Sequence, residues 1–296
     1  MPVGGASLYA RDVEVESQFD AMLGLLADMI TAQGSTPQTT DAPPPWSINL
    51  HVLSMKLFKH LGSARTLLEP CPFRTATHAP YGYIDHSSIA TVTRASLESY
   101  LVMHWLFGEK DDSKRDFNHM LWEHAGWKKR SKFVPTTADG EEAKRKAQTH
   151  ASDLLDSIQA SPFYQNYHQE QKRKVRKGQW DVEWCTRDLA DSAGIHIIYF
   201  NSIYQHLSGY VHSDFISCLQ IGQATKLADQ YMLGAASIST SLMILGHFAI
   251  FYARMFPAAN AILETSEAKG LVEKWYIRTE DMDFLYNEDE DSHESR

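Results

Sequence analysis

The sequence predicts an all-α protein: a multi-helix bundle with an N-terminal helical arm and a disordered acidic C-terminal tail. Two observations carry that expectation. Apolar residues recur at spacings of three and four over long stretches, the period of an amphipathic helix. Strand signals are scarce, with no alternating Val, Ile, Thr and Tyr run bounded by an Asn-Gly or Asp-Gly turn.

The elements follow in order. Residues 13–33 space Phe19, Met22, Leu25 and Met29 as one helical stripe and stop at Gly34. The Pro- and Thr-rich stretch after it cannot propagate a helix, so this first helix is expected to pack as an arm on the main body or on a partner chain. A second helix runs from about Ser47 to Glu69, with Leu50, Leu53, Leu57 and Leu61 on one stripe, and PCPF at 70–73 breaks it. Residues 74–85 form a loop, and a third helix covers about 86–108. Further helices are expected near 113–131, 139–160 and 162–175. Asp139 with Glu142 resembles a helix-start signal for the second of these. Another spans about 181–193, stopped by Gly194. GIHIIYFNSIYQHLSGYVHSDF reads as a helix pair with a tight junction, and a long apolar helix covers about 222–256. The organisation expected is an N-terminal helix and linker at 1–45, a helical bundle at 46–256 with a basic helical insert at about 109–177, and a C-terminal segment with its acidic tail at 257–296.

Composition narrows the class. At 43% hydrophobic and 22% charged residues the chain is ordinary for a soluble globular protein and long enough to bury a sizeable core. Cys71, Cys185 and Cys218 lie far apart with no CxxC pair, which fits neither a disulfide framework nor a zinc site and suits a reducing, cytoplasmic setting. The N-terminus lacks the pattern of a signal peptide. Tyr231–Ala253 contains no Asp, Glu, Lys or Arg across 23 positions, enough to span a bilayer. Ser237, Ser239, Thr240, Ser241 and His247 interrupt it, however, and no Lys/Arg cluster flanks it, so it is read as a buried core helix and no membrane partner is expected.

The net charge of −9 excludes a protein that coats nucleic acid generally. Its distribution is uneven. Residues 109–177 carry 15 Lys and Arg against 11 Asp and Glu, while the remainder carries 13 against 26. The plainer account of this basic island is ordinary solvated helix surface. The functional account is phosphate contact by Lys172 and Arg173, with Trp122 and Trp127 as stacking platforms.

Two polar insertions in apolar helices stand out. Arg94 and Glu98 are one turn apart among Ile89, Val92, Leu97, Tyr100 and Leu101, where neither charge tolerates burial alone. The plain reading is a mutual salt bridge; the functional one is a cleft in which they position a histidine or bind an anion. In YQHLSGYVHSDF, Tyr204, Ser208 and His212 share a helical face, with Ser208 and His212 within hydrogen-bonding reach. No G-x-S-x-G accompanies them, so Ser208 reads as a packing or hydrogen-bonding residue rather than a nucleophile. H-E-x-x-H is absent, and His119, Glu123 and His124 on a charged helix read as surface polarity rather than metal ligands. No metal or other cofactor is expected.

The two insertions together carry a resemblance. Arg94 and Glu98 on one helix, followed by Tyr204, Leu207, Ser208, Val211, His212 and Ser213, resemble a bacterial all-helical family of unknown function related to the HEPN-like (higher eukaryotes and prokaryotes nucleotide-binding) bundles. The resemblance implies a HEPN-like core and a protein acting on RNA or a nucleotide, in bacterial stress or phage defence, usually as a homodimer. It assigns His212 as general acid/base, with Arg94 and Glu98 shaping the site. HEPN ribonucleases carry R-x(4–6)-H on one helix, and here that arginine is missing: Ile203 to Leu207, then Ser208, fill the positions before His212. Arg94, on another helix, is the residue left to replace it. Two other functions remain open. One is a non-catalytic interaction or dimerisation module, in which Arg94, Glu98, Ser208 and His212 form a buried network fixing helix register. The other is a metal-dependent hydrolase.

Overall fold

The computed structural model describes residues 10–35, 44–77 and 81–286. It is 78% helical, with a single two-stranded sheet among the described residues, so the all-α expectation holds. In chain order the elements are α1 (Val13–Ser35), α2 (Pro45–Leu67), β1 (Cys71–Phe73), β2 (Tyr81–Tyr83), α3 (His86–Phe107), α4 (Asp112–Arg130), α5 (Ala138–Ala160), α6 (Pro162–Gln165), α7 (Gln169–Arg176), α8 (Thr186–Ser192), α9 (Ile197–His212), α10 (Phe215–Gln223), α11 (Leu227–Met255), α12 (Pro257–Thr265), α13 (Lys269–Trp275) and α14 (Thr279–Tyr286).

Several expectations are corrected. The loop after α2 is flanked by an exposed antiparallel pair, Cys71 opposite Tyr83 and Phe73 opposite Tyr81. The helix expected at 162–175 breaks into α6 and α7, because the His168 backbone N–H bonds the Gln171 side chain and starts a new helix. Thr137, rather than Asp139, caps α5, its hydroxyl accepting from Gly140 N at 3.1 Å. The segment after α11 folds into three short helices, and the first eight residues of the acidic stretch form α14. The disorder expected of the tail concerns residues 287–296, which lie outside the described residues, as does most of the linker after α1.

The chain divides into two compact units. The first gathers α1, residues 47–101 and the chain from residue 190 onward. The second comprises 44–46 and 102–189.

In the first unit α11 is the central element. It is long and apolar enough to cross a membrane, yet 72% of its most apolar window is buried inside the fold. Three of its polar interruptions are absorbed within the helix: Ser239, Thr240 and Ser241 hydroxyls donate to carbonyls one turn back, at Ala235, Ala236 and Ser237. Such bonds satisfy polar groups that burial would otherwise penalise. α1, α12 and α13 pack against α11, so Phe19, Met22 and Met29 of α1 are core residues of this unit. Leu50, Leu57 and Leu61 of α2 are likewise buried. α3 meets α11 through a Thr93–Ser241 hydroxyl pair at 3.0 Å and through Tyr100, edge-on to Phe248 and Phe251.

In the second unit α4 and α5 pack side by side, and Phe117, Leu121, Ile158, Tyr164, Tyr167 and Val175 form the core with α6 and α7. His119 and His124, expected on the surface, are buried here. The reason is the helix's register: Phe117, Leu121 and Ala125 define the inward stripe, and His124 and Asn118 lie on its flanks.

Burial holds His124 and His86 below the ordinary histidine range, and likewise His247, whose Nε2 donates to the Ile277 carbonyl at 2.7 Å. An unfolded chain therefore binds more protons than the folded one below about pH 6.5. The resulting loss of stability sets in as pH falls from 6.5 toward the folded-state values and is absent above it. Thermal melts at pH 7.5 and 5.5 are expected to show a lower Tm at 5.5, with up to about 1 kcal/mol lost per histidine. A Tm that is equal or higher at 5.5 would refute this. Glu69, held at about 2 mainly by its hydrogen bond from Arg11, begins to lose its stabilising contribution only as pH falls into the ordinary carboxylate range, below the histidine window, so the two effects separate.

Candidate functional site

α9 is held on α3 by a small apolar contact, Ala90 with Leu207 and Tyr210. This contact fixes the register in which the outer faces of the two helices meet. Arg94 on α3 then lies beside Tyr204 and His212 on α9, although more than a hundred residues separate them in sequence.

The guanidinium of Arg94 is a hub. Its Nε donates to Glu98 Oε1 at 3.1 Å, its Nη2 donates to the Tyr204 hydroxyl at 3.0 Å, and its Nη1 lies 3.2 Å from His212 Nε2. The Tyr204 hydroxyl in turn donates to Glu98 Oε1 at 2.9 Å, closing a ring of three side chains. Tyr204 is backed by Phe200, stacked on it at 5.2 Å between ring centres. Arginine only donates, so a hydrogen bond in this contact requires His212 Nε2 to accept, with the ring proton on Nδ1. Burial works against the Arg94 charge, but the Tyr204 hydrogen bond and the Glu98 carboxylate more than offset it, and its pKa is raised.

Exposure grades across the group. The Arg94 side chain is 14% exposed and that of Glu98 43%, while His212 is exposed. The triad Arg94–Glu98–Tyr204 is therefore a half-buried platform that presents one guanidinium edge to an open histidine.

The chain ends α9 at His212 by its own chemistry. Ser213 adopts a left-handed conformation (φ 54°), and the backbone N–H groups of Ser213 and Asp214 both reach the Gly209 carbonyl. Asp214 then caps α10, its Oδ1 accepting from Ser217 N at 2.8 Å. A Cβ on residue 209 would lie 2.5 Å from Asp214 Oδ2, so glycine is what lets the cap fold back. The sequence signal for this cap is Asp214 itself, a favoured N-cap residue directly ahead of the apolar Phe215-Ile216.

Ser208 takes a different partner from the one its spacing suggested. Its hydroxyl donates to the Tyr204 carbonyl at 2.5 Å, within α9, rather than to His212. The remaining candidates lie in the second unit. Trp127 stacks on His150 at 4.8 Å, and Trp122 lies beside His119. Lys172 Nζ donates to the Gln165 carbonyl and sits 5.5 Å from the centre of the Tyr164 ring, and Arg173 is paired with Glu170. Each of these side chains already has a partner within the chain. Among the described residues no cluster of three or more His, Cys, Asp or Glu has the arrangement of a metal site.

Residues 82–224 match the model of a family of unknown function, DUF5677. The matched span contains all of Arg94, Glu98, Tyr204, Ser208 and His212. No curated protein and no solved structure matches the chain.

Proposed function

We propose that the first unit acts on RNA, with His212 as general base and Arg94 as the phosphate-binding cation of a HEPN-like ribonuclease site. The observation that carries the reading is the 3.2 Å approach of Arg94 Nη1 to His212 Nε2 at the protein surface. In this reading Arg94 of α3 takes the place of the arginine that the α9 sequence lacks. In the proposed reaction a phosphodiester oxygen draws Arg94 Nη1 away from the imidazole, leaving the Nε2 lone pair free. His212 then takes the proton of the ribose 2′-hydroxyl, and the 2′-oxygen attacks phosphorus. The 5′-oxygen leaves and is protonated from solvent, giving a 2′,3′-cyclic phosphate. Glu98 and Tyr204 are positioning residues that hold the guanidinium.

A second copy of the chain belongs to the same reading. α10, which follows the Ser213–Asp214 turn after His212, contains no charged residue between Phe215 and Gln223 and leaves Phe215 (77% exposed), Ile216, Leu219 and Ile221 open to solvent. An isologous contact over such a face brings no like charges together, despite the chain's net charge.

The test is metal-free cleavage of single-stranded RNA by the purified protein and by His212→Ala. Loss of about 10²–10⁴-fold on substitution is expected, and light scattering of the same sample is expected to give a dimer that Ile216→Glu dissociates. Equal activity in both proteins, or no cleavage and no RNA binding at low salt, would remove the proposal.

The alternative, a structural clamp, draws on the closed Arg94–Glu98–Tyr204 ring. It makes a different prediction about His212.

A further inference from the structure

One end of the second unit combines charge and apolar exposure in a way that the site on the first unit does not use. α4 closes with Lys128, Lys129 and Arg130, and the loop after it carries Lys132, Phe133 and Val134. The end of α7 arrives at the same place: a Cβ on Gly178 would lie 2.8 Å from the Lys128 side chain, and Lys132 Nζ donates to the Lys177 carbonyl at 3.3 Å. Lys174, Arg176 and Lys177 thereby join the cluster.

Among the described residues, none of these seven cations is in an ion pair; Glu170 pairs with Arg173 and also feels the charges of Lys174 and Lys177. Arg176 donates to the Tyr164 hydroxyl. The loop is held rather than loose, since Ser131 N reaches the Trp127 carbonyl and Phe133 N the Arg130 carbonyl. At its tip Phe133 is 63% and Val134 87% exposed.

Cations in the last turn of a helix complement its dipole, which accounts for Lys128–Arg130 and for Lys174 and Arg176. It accounts neither for Lys132 and Lys177 beyond the helix ends nor for the apolar tip. A phosphate backbone would use the charges but has nowhere to place an exposed valine. The boundary of a lipid bilayer uses both, taking the apolar tip below the headgroups and the cations among anionic phosphates.

We propose that this end of the second unit docks on an anionic phospholipid surface, with Phe133 and Val134 entering the interface and Lys128, Lys129, Arg130, Lys132, Lys174 and Lys177 contacting headgroups. The expectation of no membrane partner came from α11, which bears on spanning; surface docking involves other residues. The proposal stands independently of the RNA site.

The experiment is co-sedimentation of the full chain with vesicles of phosphatidylcholine alone and of phosphatidylcholine with phosphatidylserine. Binding to the mixed vesicles only, weakened by salt, is expected. Phe133→Ser/Val134→Ser and Lys132→Glu/Lys177→Glu should each weaken it roughly tenfold or more. All four side chains are at the surface, and an unchanged melting temperature checks that both variants fold. Three results overturn the proposal. One is absence of vesicle binding. Another is vesicle binding indifferent to the serine variant. The third is binding of an RNA oligonucleotide lost on lysine reversal but kept in the serine variant, without vesicle binding, which would assign the patch to nucleic acid.

Discussion

Gly246→Ala is expected to be the most damaging single-methyl change in the chain. α11 passes so close to the end of α13 that a Cβ at this position would lie 2.6 Å from the Trp275 carbonyl carbon, 2.7 Å from its oxygen and 2.8 Å from Tyr276 N. All three are backbone atoms, which cannot rotate away as a side-chain tip can. The segment is pinned on either side of the crossing. Trp275 Nε1 donates to Gln18 Oε1 at 2.8 Å, His247 Nε2 donates to the Ile277 carbonyl, and Thr279 N donates to the Gly194 carbonyl at 2.9 Å. Overpacking of a tight core costs about 1–3 kcal/mol, and an immovable backbone neighbour places this site at the upper end. A Tm lower by roughly 5–10 °C is expected. Relief is available if the chain after Trp275 peels away, so limited proteolysis should cut that segment faster in the variant. A variant with unchanged Tm and unchanged protection would show that the crossing is looser than these distances require.

Arg94→Ala is expected to have the largest effect on function, and it separates a working site from a clamp. Removing the guanidinium takes away the proposed phosphate ligand, and cleavage should fall about 10²–10³-fold. It also leaves Glu98 and Tyr204 with one hydrogen bond where the ring had three, costing about 2 kcal/mol. Arg94→Lys should recover little, because an ammonium cannot fork to Glu98, Tyr204 and His212 in one plane. His212→Ala should behave differently: its activity loss should match Arg94→Ala, with a Tm close to that of the unmodified chain, because the imidazole is exposed and makes a single contact with the triad. If His212→Ala lowers the Tm as much as Arg94→Ala, and the two costs are not additive, the group is a structural network and the clamp reading replaces the ribonuclease one.

Much of this was legible in the residues because helical periodicity is a local property. The stripe Phe19–Met22–Leu25–Met29 and the stripe Leu50–Leu57–Leu61 mark α1 and α2 without knowledge of what they pack on. Arg94, Glu98 and His212 stood out for a similar reason: charged or titratable groups in apolar helices demand partners. Their assembly could not be read, since it depends on the Ala90–Leu207–Tyr210 contact that sets α9 against α3. Ser208 shows the limit of spacing as a guide, because a hydroxyl one turn from a histidine was nearer still to its own helix's carbonyl.

The sequence by itself determined the all-α class and the order of the long helices, both consequences of interactions within a few residues. Only the tertiary structure decided that Arg94 faces His212, that His119 and His124 turn inward, and that the segment after Trp275 crosses Gly246. Each of these is a choice among helix faces of similar apolarity. That choice is made by the side-chain volumes and backbone clearances at contacts distant in the chain, which no local pattern encodes.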